Sequence, residues 1–487
     1  MRIKSKPALK FTPQDTALLA EVSRFAKAKK VKLYLVGGAL RDLILGRAKQ
    51  NPDFDFCLKK GAINFGRKLA RELKAGFVVL DTEHGACRVI KRIKNISYTL
   101  DFTDFRGKDI EKDLLHRDFT INSIALKLQD AVSAKDAGSL FIDLYGGRQD
   151  LARKLIKVVG PQSFKEDPLR ILRAFSFACI LDFTIDKETL ASAKRERKKL
   201  AQVSFERIRD ELFKIFDTND AFSFLAQLDR LKILEVLFPE IKKMRGIGQG
   251  PYHHLDVWQH TLETMRQIDL LLVKYKTNPN IQPYLDEVIA ADRKRRALLK
   301  LAVFLHDFGK PKTLRHEKGR TTFHGHERVG YVMSRDIARR LKLSNDESAS
   351  LQRMVLWHLR PGYLGDFAKP TARAKFRFFR DAGSEGVSTL LLSIADQRAT
   401  KGPLATASSR VQHEKIVFGM IREYYRSKKE KKSPRLLNGD DLIRRFGLSP
   451  SPLIGKILSD IEELQAIGKI KTKAQAFLAA KKHIKPQ

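Results

Sequence analysis

Between residues 29 and about 130 the apolar positions fall in short alternating runs, bounded by glycine, proline and charged residues. Residues 33–36 read as a strand, Gly37-Gly38 as a turn, and residues 39–45 as a helix. Further strand-like runs follow at 55–58, 77–80, 87–92 and 98–103. Beyond Asp143 the strand signal fades. Gly146-Gly147 marks the change, and Leu169, Leu172, Phe175 and Phe177 among charged neighbours predict helices over 150–240. The glycine-rich run 246–251 separates these from a second helical region that holds most of the clustered histidines. A basic segment, 426–435, precedes a last helical piece with a lysine-rich end. There is no internal repeat.

The expected division is a basic N-terminal lead (1–28), a head with a small sheet (29–145), a helical neck (146–240), a histidine-bearing body (245–405) and a basic helical tail (406–487). The expected fold class is α+β: a small, mixed, antiparallel-leaning sheet followed by mostly helical regions.

Charge changes the picture most. The 487 residues include 94 Lys and Arg against 56 Asp and Glu, a formal net charge of +38. Solubility needs far less, so a polyanion partner is the natural reading, through counterion release along a phosphate backbone; a solvated basic surface is the alternative. Hydrophobic residues at 43% exclude a disordered chain. Cys57, Cys87 and Cys179 are odd in number and widely spaced, without a disulfide framework or paired zinc motif, which fits a reducing compartment. The first ten residues lack an apolar targeting core, and no stretch approaches about 18 uncharged apolar residues. The expectation is a cytoplasmic chain with no membrane partner.

Three features of the head carry candidate chemistry. Glycines at a strand-to-helix turn, as at Gly37-Gly38, let backbone N–H groups approach phosphate oxygens, although such a pair also serves as a plain tight turn. Asp53 and Asp55 sit two apart on a strand, hence on one face, with Cα atoms roughly 6.5–7 Å apart. Two carboxylates so placed suit the Mg²⁺ ions that clamp a triphosphate during in-line attack; a solvated strand face is the other reading. Asp101, flanked by apolar residues on another strand, would supply a third carboxylate as base or ligand for an attacking hydroxyl.

The motifs then align with a known family. Gly-Gly-Ala-Leu-Arg-Asp at 37–42, Asp-Phe-Asp at 53–55, and His-Arg-Asp-Phe-Thr-Ile-Asn-Ser-Ile-Ala at 116–125 come in that order. They are followed by Asp-Leu-Tyr-Gly-Gly-Arg-Gln-Asp-Leu at 143–151 and Glu-Asp-Pro-Leu-Arg-Ile-Leu-Arg-Ala-Phe at 166–175. Together these resemble the class II tRNA nucleotidyltransferases and bacterial poly(A) polymerases. The resemblance implies a polymerase-β-like head that adds C, A or both from CTP and ATP to the 3′ end of tRNA or another RNA without a template, using Mg²⁺. It implies that Gly37, Gly38 and Arg41 hold the nucleotide, that Asp53 and Asp55 bind Mg²⁺, and that Arg117, Asp118 and Asn122 contact sugar and phosphates. Asp167 and Arg170, one helical turn apart and expected to face the same way, would read the base edge, and Arg173 would reach the triphosphate. The chain departs from the family pattern at His116 and Ser176, where basic residues are frequent. The run 206–212 resembles the family's neck helix, with Ser204 as its expected N-cap.

In the body, His260, His306-Asp307 and Asp396 follow the order of the HD phosphohydrolase superfamily, and the text Phe-Leu-His-Asp-Phe-Gly-Lys at 304–310 is close to its signature. The resemblance implies a metal site built from those four residues. Imidazole and carboxylate ligands suit a divalent transition metal or Mg²⁺ that activates water for phosphoester hydrolysis. His326 lies between the pair and the last aspartate, while His253, His254, His324 and His358 read equally as ligands or as core and capping residues. An HD domain accompanies many tRNA enzymes of this class and favours them over poly(A) polymerases. A poly(A) polymerase, and a metal phosphohydrolase with an RNA-binding head, are the competing readings.

Overall fold

A computed structural model describes residues 11–47, 51–133, 140–317, 319–365, 370–429 and 434–484. The first ten residues of the basic lead, the middle of the basic segment 426–435 and the last residues of the lysine-rich tail lie outside the described residues. By contacts the chain divides into two compact units, Met1–Glu211 with Leu231–Val236, and Leu212–Arg230 with Leu237–Gln487.

The first unit opens with helix α1 (Pro13–Ala28). It starts at a capping box, in which Thr12 and Asp15 satisfy each other's backbone N–H groups and Pro13 occupies the first turn. Strand β1 (Tyr34–Val36), helix α2 (Gly38–Ile44), strand β2 (Asp53–Leu58), helix α3 (Ala62–Glu72) and strands β3 (Gly76–Asp81), β4 (Ala86–Ile93) and β5 (Ile96–Asp104) follow; after helix α4 (Ile110–Leu115), β6 (Ala125–Lys127) completes the sheet. The strand order is β3-β4-β5-β2-β1-β6. Only β2 and β5 run parallel; all other neighbours are antiparallel. This is the small mixed sheet expected.

Alternation along the central strands decides which face carries chemistry. Phe54, Phe56, Leu100 and Phe102 are buried, and Phe56 stacks on Phe102 with ring centroids 5.0 Å apart. Phe65 of α3 packs on Phe102 at 5.3 Å, so the helices cover this face. The residues between them, Asp53, Asp55 and Asp101, therefore point to the opposite face.

The strand signal does not end at residue 143. Leu155–Ile156 pairs in parallel with Thr184–Ile185, and the second unit holds two small hairpins, Val288–Ala290 with Arg293–Lys294 and Arg315–Glu317 with Arg320–Thr322. Strands of two or three residues are shorter than the repeat that would reveal them. Gly147, expected as a boundary turn, instead opens the helix Gly147–Ala152, whose first N–H groups donate to the Asp143 carboxylate.

The second unit is built on the helix Gly386–Ala399, buried on every side from Val387 to Ala395. The helices Val257–Lys274, Arg295–Leu305 and Asn345–Trp357 pack around it. The last three helices, Gly439–Phe446, Pro452–Ala466 and Lys473–Lys481, share a core of their own around Leu442, Ile457, Ile461 and Ala476. No helix among the described residues is long and apolar enough to cross a membrane.

Candidate active sites

In the head, register brings the carboxylates together. Asp55 of β2 lies opposite Asp101 of β5, and Asp101 lies opposite Arg88 of β4. Oxygens of Asp53, Asp55 and Asp101 lie within 4.8 Å of one another. Such a cluster of hard oxygen donors fits a divalent cation. On the β1 side, Val36 pairs with Asp55, and the chain then turns at Gly37 with φ +72°. A Cβ there would lie 2.9 Å from Asp55 Oδ2. Glycine is therefore what allows the turn to close over the carboxylates.

Around this turn Arg41, Asn122, Asp118 and Arg173 form one hydrogen-bonded chain. Arg41 donates to Asp42 and, at 2.9 Å, to Asn122 Oδ1. Asn122 donates to Asp118 at 3.1 Å, and Asp118 accepts two bonds from Arg173 at 2.8 and 3.1 Å. Burial acts to raise the Asp118 pKa, but Arg173, Asn122 and the Phe119 N–H outweigh it and hold the carboxyl below its ordinary value. Arg117 is anchored on Asp113 at 3.0 Å. Phe177 lies under both Arg41 and Arg173, 5.2 and 5.0 Å from its centroid. Ser176, one of the departures, donates to the buried Glu211, which also lies 3.6 Å from Arg173.

Asp167 and Arg170 do not act as a pair in this structure. Asp167 ends the short helix Ser163–Glu166 and bonds Arg207 at 2.7 Å, whereas Arg170 opens the next helix and turns inward. Its guanidinium donates to Ser163, Glu166 and the His116 carbonyl. Helical spacing brings two residues to one face only when a single helix contains both. The extended backbone of Asp167 breaks that condition. The other departure, His116, bonds Glu166 at 3.0 Å. Ser204 lies where expected, its carbonyl accepting from the Ile208 N–H in the first turn of the helix Phe205–Phe216.

Arg88, Asp113, Phe177 and Glu211 were not singled out by the motifs. Asp113 pairs with Arg117 although Arg117 lies past the end of α4, so helical spacing gives no signal for it; Arg88 depends on strand register, which no local pattern reveals.

In the second unit, the helix Arg295–Leu305 is buried from Ala297 onward and delivers His306 and Asp307 at its C-terminal end. Gly309 follows; a Cβ there would meet the His326 carbonyl at 2.1 Å, so its absence lets the helix His326–Arg340 approach. His260 Nε2 lies 2.8 Å from Asp396 Oδ1. Asp307 lies 3.3 Å from His306 Nε2 and 3.4 Å from His326 Nε2, and His326 lies 3.3 Å from His358. The Nδ1 atoms of His306, His326 and His358 each lie 2.7 to 2.9 Å from the carbonyl three residues earlier. Donation there directs each Nε2 inward. Burial acts to lower the His306 pKa, but Asp307 beside it holds it above its ordinary value, so a metal would bind there in exchange for a proton.

Two ligand groups result, His260, His306 and Asp396, and Asp307, His326 and His358. His306 Nε2 is buried without a hydrogen-bond partner. Lys310 contacts Asp307 at 2.7 Å. Burial acts to raise the Asp307 pKa, but His306 and Lys310 hold it well below the ordinary carboxylate range. Burial, then His326 and His306, push His358 down to about 3, so it is neutral at physiological pH. Nitrogen and oxygen donors in these states fit a divalent metal. His253 sits beside His260, ring centroids 4.8 Å apart, whereas His254 and His324 are exposed and belong to neither group.

Sheet, carboxylate row and histidine cluster together define a nucleotidyltransferase head carried on the same chain as an HD domain. Residues 33–157 match the model of the poly A polymerase head domain, 182–244 that of a probable RNA and SrmB-binding site of polymerase A, and 257–400 that of the HD domain. The A-adding tRNA nucleotidyltransferase of Deinococcus radiodurans is 31% identical over 455 residues, covering 91% of this chain and 94% of that protein. The CC-adding tRNA nucleotidyltransferase of Thermus thermophilus is 29% identical over 453 residues, covering 91% and 92%. Among solved structures, the Thermotoga maritima CCA-adding enzyme complexed with tRNA shares the fold, with a TM-score of 0.64 at 22% identity over 97% of this chain and 96% of that one. The chain belongs to the tRNA nucleotidyltransferase family.

Proposed function

We propose that the protein extends the 3′ end of tRNA, adding C, A or both from CTP and ATP. The observation that carries this reading is the register that sets Asp53, Asp55 and Asp101 on one half-buried sheet face beneath the Gly37 turn. Asp53 and Asp55 would hold Mg²⁺, which when bound supplies charge neutralisation and in-line alignment for phosphoryl transfer. Asp101 orients the attacking 3′-hydroxyl and accepts its proton. Gly37 and Gly38 admit the triphosphate to the backbone at the start of α2, and Arg41, Arg117 and Arg173 neutralise its oxygens. Asp118 and Asn122 hold Arg173 and Arg41 in place and contact the sugar, while Asp113 anchors Arg117. Asp167 offers an acceptor to the base edge beside Arg207; Arg170 joins it only by exchanging its bonds to Ser163, Glu166 and His116.

The HD cluster is proposed as a metal-dependent phosphohydrolase site acting on RNA 3′ ends, with His260, His306, Asp307 and Asp396 as ligands and His326 and His358 beside them. Such hydrolysis would clear a blocked end and expose the hydroxyl that the head extends. A cytoplasmic location accords with both activities.

The relatives matched along nine tenths of the chain carry A-adding and CC-adding names. The test follows directly: a ladder of tRNAs ending at the discriminator base, C, CC or CCA is incubated with labelled CTP or ATP and Mg²⁺. Extension limited to completing CCA, or one part of it, is expected. Long A tails on any RNA would replace this reading with poly(A) polymerase.

A further inference from the structure

Next to the carboxylate row stands a residue that the proposed reaction does not use. Arg88 of β4 faces Asp101 directly across the β4–β5 ladder, as Asp101 faces Asp55 across β5–β2. The row on this sheet face therefore reads carboxylate, carboxylate, guanidinium. Arg88 donates through Nε to one Asp101 oxygen at 2.8 Å and through Nη2 to the other at 2.7 Å. Both oxygens of the third carboxylate are thus engaged by a planar fork, the strongest geometry available to an ion pair.

A carboxylate held this way is a poor cation ligand. Its charge is neutralised, and a divalent ion beside it meets the guanidinium as a like charge. Yet the Asp101 oxygen lies close enough to those of Asp53 and Asp55 to share an ion with them. The two states exclude each other, and the exchange between them has room to occur. The Arg88 side chain is 40% exposed against 15% for Asp101. Its neighbour on the far side, Val78 of β3, offers no charge and is itself half exposed.

We propose that Arg88 is a positioning residue that withholds Asp101 from the head's cation site, so that the site's affinity for a divalent ion is set by the exchange of Asp101 between Arg88 and the metal. The inference rests on the metal role proposed above for Asp53 and Asp55. It predicts a gain on mutation: loss of the guanidinium frees a carboxylate ligand and removes a repulsive charge, and both changes strengthen binding.

The experiment is a Mn²⁺ titration of the full chain without nucleotide or RNA, reading free Mn²⁺ by electron paramagnetic resonance. The class of sites missing from Asp53→Asn/Asp55→Asn identifies the head site and separates it from the HD cluster. In Arg88→Met that class is expected to bind Mn²⁺ on the order of tenfold more tightly, with Arg88→Lys, which keeps the charge but not the fork, in between. Adding Asp101→Asn to Arg88→Met is expected to abolish the gain. An Arg88→Met protein that binds Mn²⁺ at the head no better than wild type overturns the inference, as does a gain that survives Asp101→Asn. If Asp53→Asn/Asp55→Asn removes no class of sites, the metal reading of the head falls first and this inference with it.

Discussion

Gly37 is the residue on which the head site turns. Its positive φ and the 2.9 Å approach of a would-be Cβ to Asp55 mean that alanine both strains the backbone and pushes a carboxylate aside. Gly37→Ala should leave the fold intact by circular dichroism and lower the rate of 3′-end extension about a hundredfold, the scale of an ångström-sized misplacement. An extension rate within a few-fold of wild type would show that the turn does not position Asp55. Glycines and aspartates of this kind were legible from the sequence, because strand alternation alone sets Asp53 and Asp55 on one face. Arg88 was not, since its partner lies 13 residues away across a ladder. The inward turn of Arg170 was hidden too. It depends on the extended backbone at Asp167, which a helical reading of 166–173 passes over.

At the scale of elements, strands β2 to β5 were readable because each is long enough for alternation to show, whereas the three-residue β6 was not. Nor were the short hairpins of the second unit, or the inward-facing Nε2 of His358, which depends on a bond to its own helix. The last three helices illustrate a contact that composition conceals. Glu463 on Pro452–Ala466 is nearly fully buried beneath Arg373 and Arg377 of the helix Ala372–Ala382, at 2.6 and 2.7 Å. Ala372–Ala382 is rich in arginine and lysine, and two of its arginines serve as a clasp on Glu463. Glu463→Gln removes the charge that both guanidiniums share and leaves like charges adjacent. Limited proteolysis should then cut the 434–484 segment several-fold faster than in wild type. Unchanged cleavage would mean that the small shared core holds these helices unaided.

Across the whole molecule, a charge of +38 is distributed over a chain that carries two separate constellations, one of carboxylates suited to phosphoryl transfer and one of histidines and aspartates suited to hydrolysis. A basic chain of this size concentrates RNA at its surface without reading sequence, so selectivity must come from the sites. The head site, and not the HD cluster, is proposed to build the 3′ end. The most direct measurement compares wild type, Asp55→Asn and His306→Ala/Asp307→Ala in extending a tRNA that ends short of CCA, with labelled CTP and ATP and Mg²⁺. Asp55→Asn is expected to lose extension by at least about a thousandfold while still binding tRNA, and His306→Ala/Asp307→Ala to extend a free 3′-hydroxyl at the wild-type rate. Extension that survives in Asp55→Asn, or that vanishes only with the HD substitutions, would contradict the proposal.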